Sequence, residues 1–273
     1  MKFYSIINGL CGKWKKRGKK MKKFTLIELL IVLAVIGILV SILIPSLYKA
    51  RQKARAAVCL SNTKQIGLAW HMYLDNSDGA FWEYVPVAQP DEAKMWPDYL
   101  KDFTSPDIHN CPEVVPDDTS SITGYLHGNA QSRWVDSRGA SVDPWNTSSY
   151  GHNMALTDNG ADYEGTNKIY KNLASIDNPY EVPFIGDSIW RSARKKTANS
   201  NTRVVPLNLS EPKNSVNIDS NSCKFYQFIT NRHGKVTVMS FVDGSSRLLS
   251  YENVFRQQWH GEWAKDLDVI NPH

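Results

Sequence analysis

The stretch Lys22–Val40, "KKFTLIELLIVLAVIGILV", decides the fold. From Leu29 to Tyr48 no charged residue occurs in twenty positions. At about 1.5 Å per residue, such a helix is roughly 30 Å long, the thickness of a bilayer's hydrocarbon core. Glu28 stands at the head of this run. A carboxylate inside a bilayer costs about 2.5–3.5 kcal/mol on insertion scales, and less toward the end of a helix. A charge placed there calls for a partner.

Working outward, the segment before the run is basic and the rest of the chain is not. Nine cations (Lys2, Lys13, Lys15, Lys16, Arg17, Lys19, Lys20, Lys22 and Lys23) precede Glu28 with no acid among them. The formal charge of +5 therefore belongs to the leader; from Phe24 onward 23 basic residues face 27 acidic ones, a net of −4. A mildly acidic protein behind a basic leader does not fit nucleic-acid binding. The leader outweighs Lys49, Arg51, Lys53 and Arg55 on the far side, so the positive-inside rule predicts a cytoplasmic N-terminus and an exported C-terminal part. The apolar run is longer than a signal-peptide core and no A-x-A-like cleavage site follows it, so it stays in the protein as a single-pass anchor.

Helical character continues past the run to about Leu74, interrupted only by Pro45, which bends a helix without necessarily ending it. Leu47, Ala50, Ala54, Val58, Leu68 and Met72 fall near one face, and Cys59, Ile66, Trp70 and Tyr73 on an adjoining one. "DNSDG" (Asp75–Gly79) supplies the stop, with Gly79 suited to a left-handed conformation. Beyond it, short β-branched and aromatic runs predict strands at Val182–Ile185, Arg203–Leu207, Phe225–Thr230, Val236–Val242 and Arg247–Tyr251. Residues 80–273 hold seven of the nine tryptophans, which are expected in the core of a sheet domain rather than on a binding face. The expected organisation is a leader (1–23), a transmembrane half-helix (24–48), an amphipathic half-helix (49–76) and a β-rich exported domain (77–273).

"FTLIELL" behind a lysine-rich leader resembles the N-terminal segment of type IV pilins and type II secretion pseudopilins. The resemblance implies cleavage between Lys23 and Phe24 by a prepilin peptidase, with N-methylation of Phe24. It makes Glu28 the assembly carboxylate that meets a neighbour's terminal amine, and Pro45 the family's helix proline. Lys23 occupies the position where the family has a small residue, and Met21 offers a second start. "CLSNTKQIGLAWHMYLDNSDG" (Cys59–Gly79), "HNCPEV" (His109–Val114), "SYGHNMAL" (Ser149–Leu156) and "RHGKVTVMSFVDG" (Arg232–Gly244) are similar to a pseudopilin-like subgroup. That subgroup is marked by a histidine followed nine residues later by Asp-Gly, which His233, Asp243 and Gly244 satisfy.

No catalytic residue is predicted. The histidines do not cluster in sequence, no C-x-x-C, H-E-x-x-H or G-x-S-x-G occurs, and zinc and hydrolase readings have no motif. Asp158, Asp162 and Glu164 in "TDNGADYEG" are the weak calcium candidates, without EF-hand spacing; no other cofactor is expected. Cys11 lies in the leader, which leaves Cys59, Cys111 and Cys223 for the exported part. Cys59 and Cys111 are the expected disulfide, closing a loop of about fifty residues and contributing ~4 kcal/mol in the chain-entropy model. His233 and Asp243 are expected about 33 Å apart at opposite ends of one extended strand, too far to share a proton or a metal. Asp243-Gly244 is expected to form a two-residue type I′ hairpin turn, and His233 a strand-entry contact.

The sequence thus predicts an α+β, pilin-like protein: a long N-terminal helix packed in its second half on an antiparallel sheet with long loops. Its expected role is that of a non-enzymatic subunit of a secretion or pilus-like assembly in the inner membrane, with the C-terminal domain periplasmic. Its expected partners are the prepilin peptidase, other pseudopilins and the inner-membrane secretion platform. The alternative is a membrane-anchored exported domain that binds a polysaccharide or protein and keeps the pilin-type leader as an address.

Overall fold

A computed structural model of the chain describes residues 24–83, 94–114, 125–126, 133–136, 145, 147–158, 170, 172–188, 192–193, 228, 230, 232–234, 236–254 and 256–259. The chain divides into two units, Met1–Lys49 and Ala50–His273. The described part of the first unit is helix from Leu26 on, exposed on every side. It belongs to α1 (Leu26–Asn76), a helix of 51 residues that contains Pro45 and is long and apolar enough to cross a membrane. Thr25 and Glu28 form its N-terminal cap: the Thr25 amide and hydroxyl each donate to Glu28 Oε2 at 2.9 Å, and the Glu28 amide donates back to Thr25 Oγ1 at 3.2 Å. This reciprocal capping box satisfies helix-end donors that have no intrahelical acceptor.

At the other end the Gly79 amide reaches back to Leu74 O at 2.8 Å, with Asp78 and Gly79 both at positive φ (51° and 77°). The six-to-one bond is that of a Schellman stop, so the left-handed cap residue proper is Asp78, with Gly79 following it. In the second unit, Ala56, Cys59, Asn62, Thr63, Ile66, Gly67, Ala69, Trp70 and Leu74 of α1 are buried. Of the two adjoining stripes, the one through Leu47, Val58, Leu68 and Met72 is exposed. The core takes the adjoining face because only there can Trp70 lie flat on Phe184, with ring centroids 4.3 Å apart.

The sheet under this face contains β4 (Tyr150–Asn153), β5 (Pro183–Asp187), β6 (Ser192–Ala193), β7 (Val236–Phe241) and β8 (Ser246–Ser250), in the order β6-β4-β5-β7-β8. The four strands from β4 to β8 pair antiparallel and β6 adds a parallel edge, giving the expected α+β architecture. β7 is buried from Thr237 to Phe241, as a centrally placed strand with apolar residues on both faces requires. A smaller sheet joins β1 (Tyr125–Leu126), β2 (Trp134–Asp136) and β3 (Thr147–Ser148), and Ser149 alone separates β3 from β4. Arg203–Leu207 lies outside the described residues, as does Phe225–Thr230 apart from Phe228 and Thr230. Trp70, Trp82, Trp96, Trp134 and Trp259 are all buried, as core tryptophans should be.

The β7–β8 hairpin forms, but with a different turn. The Gly244 amide donates to Phe241 O at 2.9 Å, the Phe241 amide donates to Ser245 O at 2.8 Å, and Gly244 has φ +79° while Asp243 has negative φ. A two-residue type I′ turn would need positive φ at both positions; one left-handed glycine after a tight turn is the longer hairpin with a bulge. Asp243 acts as the turn former, accepting from the Ser245 amide (2.9 Å) and hydroxyl (2.6 Å).

Two glycines mark close approaches of unequal tolerance. A Cβ on Gly186 in β5 would stand 2.8 Å from the backbone oxygen of Val238, whereas one on Gly67 in α1 would meet only the Ser240 hydroxyl at 2.8 Å. Gly186→Ala is expected to destabilise the fold by about 1–3 kcal/mol, because the sheet backbone itself must shift. Gly67→Ala is expected to cost less, since only the Ser240 hydroxyl must turn, at the expense of its bond to Ser245 O (3.3 Å), and alanine gains up to about 1 kcal/mol of helix propensity. Thermal melts of the two variants in detergent should differ by several degrees; equal melting would refute the contrast.

Candidate functional site

Four side chains with metal-ligating or nucleophilic atoms converge in the second unit: Cys59, Cys111, Asp187 and His233. All four are buried, and one ligand atom from each lies within 4.8 Å of the others. They come from four separate places in the fold. Cys59 projects from the core face of α1. Cys111 follows the 3-10 turn Pro106–His109, and Asn62 of α1 donates to Asn110 O at 3.2 Å, holding that loop against the helix. Asp187 ends β5, and His233 sits in the turn before β7.

Two contacts of the cluster share one nitrogen, and the Cys59 and Cys111 thiols also interact directly. His233 Nε2 lies 3.3 Å from Cys111 Sγ and 3.0 Å from Asp187 Oδ2. Yet Asp187 Oδ2 receives no hydrogen bond of acceptable direction, and His233 Nδ1 has no partner among the described residues. Asp187 Oδ1 faces Arg232 Nη1 at 3.3 Å, an ion pair with both side chains fully buried. The same Nη1 donates to Ser149 O at 2.6 Å, and the Ser149 hydroxyl accepts from the Cys111 amide. Ser149 thereby holds Arg232 and the Cys111 loop in one frame.

Electrostatics follow from burial and proximity. Burial pushes the Cys59 thiol far above its ordinary value. Burial pushes Cys111 up as well, but the Cys59 thiol and the His233 imidazole beside it outweigh that and bring it down to about 7. Burial disfavours charged His233, yet the Asp187 carboxylate and the Cys111 sulfur override it and raise the ring to about 10. Burial lifts the neighbouring Tyr150 well above its ordinary range.

The arrangement is not a cysteine–histidine–aspartate relay. Such a relay needs the sulfur on one ring nitrogen and the carboxylate on the other; here both crowd Nε2. The groove bounded by Gln65, Leu68, Met72, Asp102, Phe103 and Ile108 contains none of the four donors. Two thiols, an imidazole and a carboxylate closing on one point are a donor set for a thiophilic divalent cation.

The remaining residues singled out in the sequence lie elsewhere. Phe24 is exposed, Glu28 caps α1 and Pro45 lies within it; Lys23 is outside the described residues. Cys59 and Cys111 are brought together, but as free thiols, so the expected disulfide is not formed. His233 and Asp243 do not meet: Asp243 is exposed at the hairpin tip on Ser245, while His233 is buried on Cys111 and Asp187. The expected strand-entry role of His233 is therefore only part of its place. Asp158 is exposed and its backbone forms an isolated β-bridge with Glu83, whereas Asp162 and Glu164 fall outside the described residues. Asp187 and Arg232 were not singled out. Arg232 adjoins His233 in sequence, but nothing around "PFIGD" marks its aspartate.

A family profile described as a protein of unknown function (DUF1559) matches residues 48–81. The match covers the C-terminal half of α1 and the chain just beyond its stop, and of the four donors includes Cys59. No curated protein and no solved structure matches the chain.

The buried Arg232–Asp187 pair and the surface pair Arg55–Glu113 (2.8 Å, with Arg55 49 % exposed) offer a direct comparison. Arg232→Met removes the cation on Asp187 Oδ1, leaves only the His233 ring beside the carboxylate, takes one donor from Ser149 O, and is expected to cost about 3–5 kcal/mol. Arg55→Met is expected to cost less than about 1 kcal/mol. Urea or thermal unfolding of the detergent-solubilised chain measures both, and equal losses for the two variants would refute the contrast.

Proposed function

We propose that the protein is a single-pass, pilin-like subunit of an envelope secretion or pilus-like assembly, with its N-terminus cytoplasmic and the unit from Ala50 onward exported. The observation that carries this is that one helix serves two solvents. Residues 24–50 are exposed throughout, with Leu26, Leu30, Ile38 and Ile42 each more than 60 % accessible, whereas nine residues from Ala56 to Leu74 are built into a core. A helix apolar on all sides finds no water-soluble environment in a monomer; lipid or neighbouring apolar helices must surround it. The resemblance of "FTLIELL" supports both: processing between Lys23 and Phe24 by a prepilin peptidase, then bundling with other pseudopilins on an inner-membrane platform. In this role the exported unit works as a structural part, not as an enzyme.

Glu28 has two possible duties in such a protein, the helix cap seen at Thr25 and a charge for a neighbouring subunit's terminal amine. Glu28→Gln retains an oxygen for the cap but removes the charge; Glu28→Ala removes both. Both variants should insert into the membrane, and both should fail to crosslink into assemblies with neighbouring subunits. Normal incorporation of Glu28→Gln would reduce the residue to a helix cap. Peptide mass analysis of the membrane-extracted chain should find N-methyl-phenylalanine from Phe24, and a mature chain beginning at Met1 or Met21 would overturn the assembly role.

A further inference from the structure

We propose that Cys59, Cys111, Asp187 and His233 form a closed structural site for one zinc ion. Zinc in such sites has bonds of about 2.0–2.3 Å, so tetrahedral geometry puts ligand atoms roughly 3.3–3.8 Å apart. The measured contacts, 3.0 Å from imidazole nitrogen to carboxylate oxygen and 3.3 Å from nitrogen to sulfur, have the spacing of neighbouring ligands, slightly contracted. The 3.0 Å contact would also suit a hydrogen bond by length, but its direction does not, and Asp187 Oδ2 is left without a donor although Nε2 stands beside it. Three acceptors, two sulfurs and one oxygen, surround a nitrogen that carries at most one proton. A cation at their centre satisfies all of them together.

Charge balance agrees. Binding breaks two S–H bonds and the Nε2–H bond of the protonated His233 ring, forms two Zn–S bonds, one Zn–N bond and one Zn–O bond in place of zinc-bound water, and releases three protons to solvent. Two thiolates, the Asp187 carboxylate, Zn²⁺ and the Arg232 guanidinium then sum to zero in an interior where unbalanced charge is costly. Arg232 on Asp187 Oδ1 leaves Oδ2 to the metal and orients the carboxylate as a single-oxygen ligand. Ligation through Nε2 puts the neutral ring's proton on Nδ1. Two sulfurs exclude calcium and magnesium as the preferred ion. Four protein ligands, all buried, leave no open position for water or substrate, so the site is structural and not catalytic. It clamps the core face of α1 to the Cys111 loop, the end of β5 and the turn before β7. The inference concerns the second unit alone and does not depend on how the N-terminus is processed.

The test uses the full chain, extracted in detergent from cells with thiols trapped by a maleimide in one aliquot and left free in another. Elemental mass spectrometry of the untreated aliquot should find about one zinc per chain. Cys59→Ser, Cys111→Ser, Asp187→Ala and His233→Ala should each lose most of it, while Cys223→Ser retains it. Because a ligand variant can also fail to fold, a second measurement uses the unaltered chain. Removing metal with a chelator under reducing conditions should lower its melting temperature, and zinc, but not calcium or magnesium, should restore it. Cobalt(II) added to the stripped chain should give tetrahedral d–d bands with sulfur-to-cobalt charge transfer. A wild-type chain without zinc that gives no such cobalt spectrum would overturn the site. So would a Cys59–Cys111 disulfide in the maleimide-trapped aliquot.

Discussion

The second unit is organised around one buried ion pair, that of Asp187 with Arg232. An ionised carboxylate removed from water is tolerated only when paired and hydrogen-bonded, and Arg232 provides that pairing with both groups fully buried. The guanidinium has its own donors to satisfy and takes Ser149 O, in the single residue between β3 and β4. Ser149 in turn receives the Cys111 amide on its hydroxyl, gives its own amide to His109 O at 3.1 Å and accepts the Ser188 amide at 2.8 Å. Four parts of the chain distant in sequence therefore depend on the same few polar atoms: the 3-10 turn with the Cys111 loop that follows it, the β3–β4 junction, the end of β5 and the turn before β7. Apolar packing can slide; this set cannot, because each displaced member would leave a buried polar group unmatched.

What the sequence shows of this fold is what repeats along it. The twenty-residue uncharged run, the stop at Asp78 and Gly79, and the β7–β8 hairpin each carry a local signal: length, turn chemistry or alternation. The sequence leaves open which of two adjoining, partly apolar stripes of α1 enters the core, because Phe184, which stacks on Trp70 in the buried one, lies more than a hundred residues away. The four-donor cluster was invisible for the same reason at larger scale. Its members stand at positions 59, 111, 187 and 233, with no two near enough in sequence to show a ligand spacing. Elimination by motif removes only sites built on one helix or one loop, and says nothing about sites that the sheet order assembles.

His233 illustrates the cost of judging a residue by its sequence partner. Its nine-residue interval to Asp243-Gly244 spans one strand, so the interval holds the ends of β7 apart. At one end Asp243 and Gly244 close the hairpin. At the other, His233 faces across the sheet to Asp187 on β5, the strand that pairs with β7 through Ile185–Ser240 and Gly186–Met239. The motif thus marks the two ends of a central strand: one end makes a turn, the other enters the polar core.

Glu28 shows how a residue read for its partner in another chain can also be explained within its own. The first amides of a helix have no intrahelical acceptors and must be satisfied from outside the helix ladder. Thr25 and Glu28 provide for this through a capping box in which both Thr25 donors converge on Oε2. The charge also stands at the end of the helix where the macrodipole favours an anion, which offsets part of its insertion cost. A capping carboxylate is therefore sufficient reason for "TLIE" at the start of this helix, and the sequence alone does not require a second subunit. The cap engages one carboxylate oxygen, and the second is the atom that a neighbouring amine would meet. The two duties are compatible in geometry but differ in what they demand: a cap needs an acceptor oxygen, whereas pairing with an amine needs the negative charge.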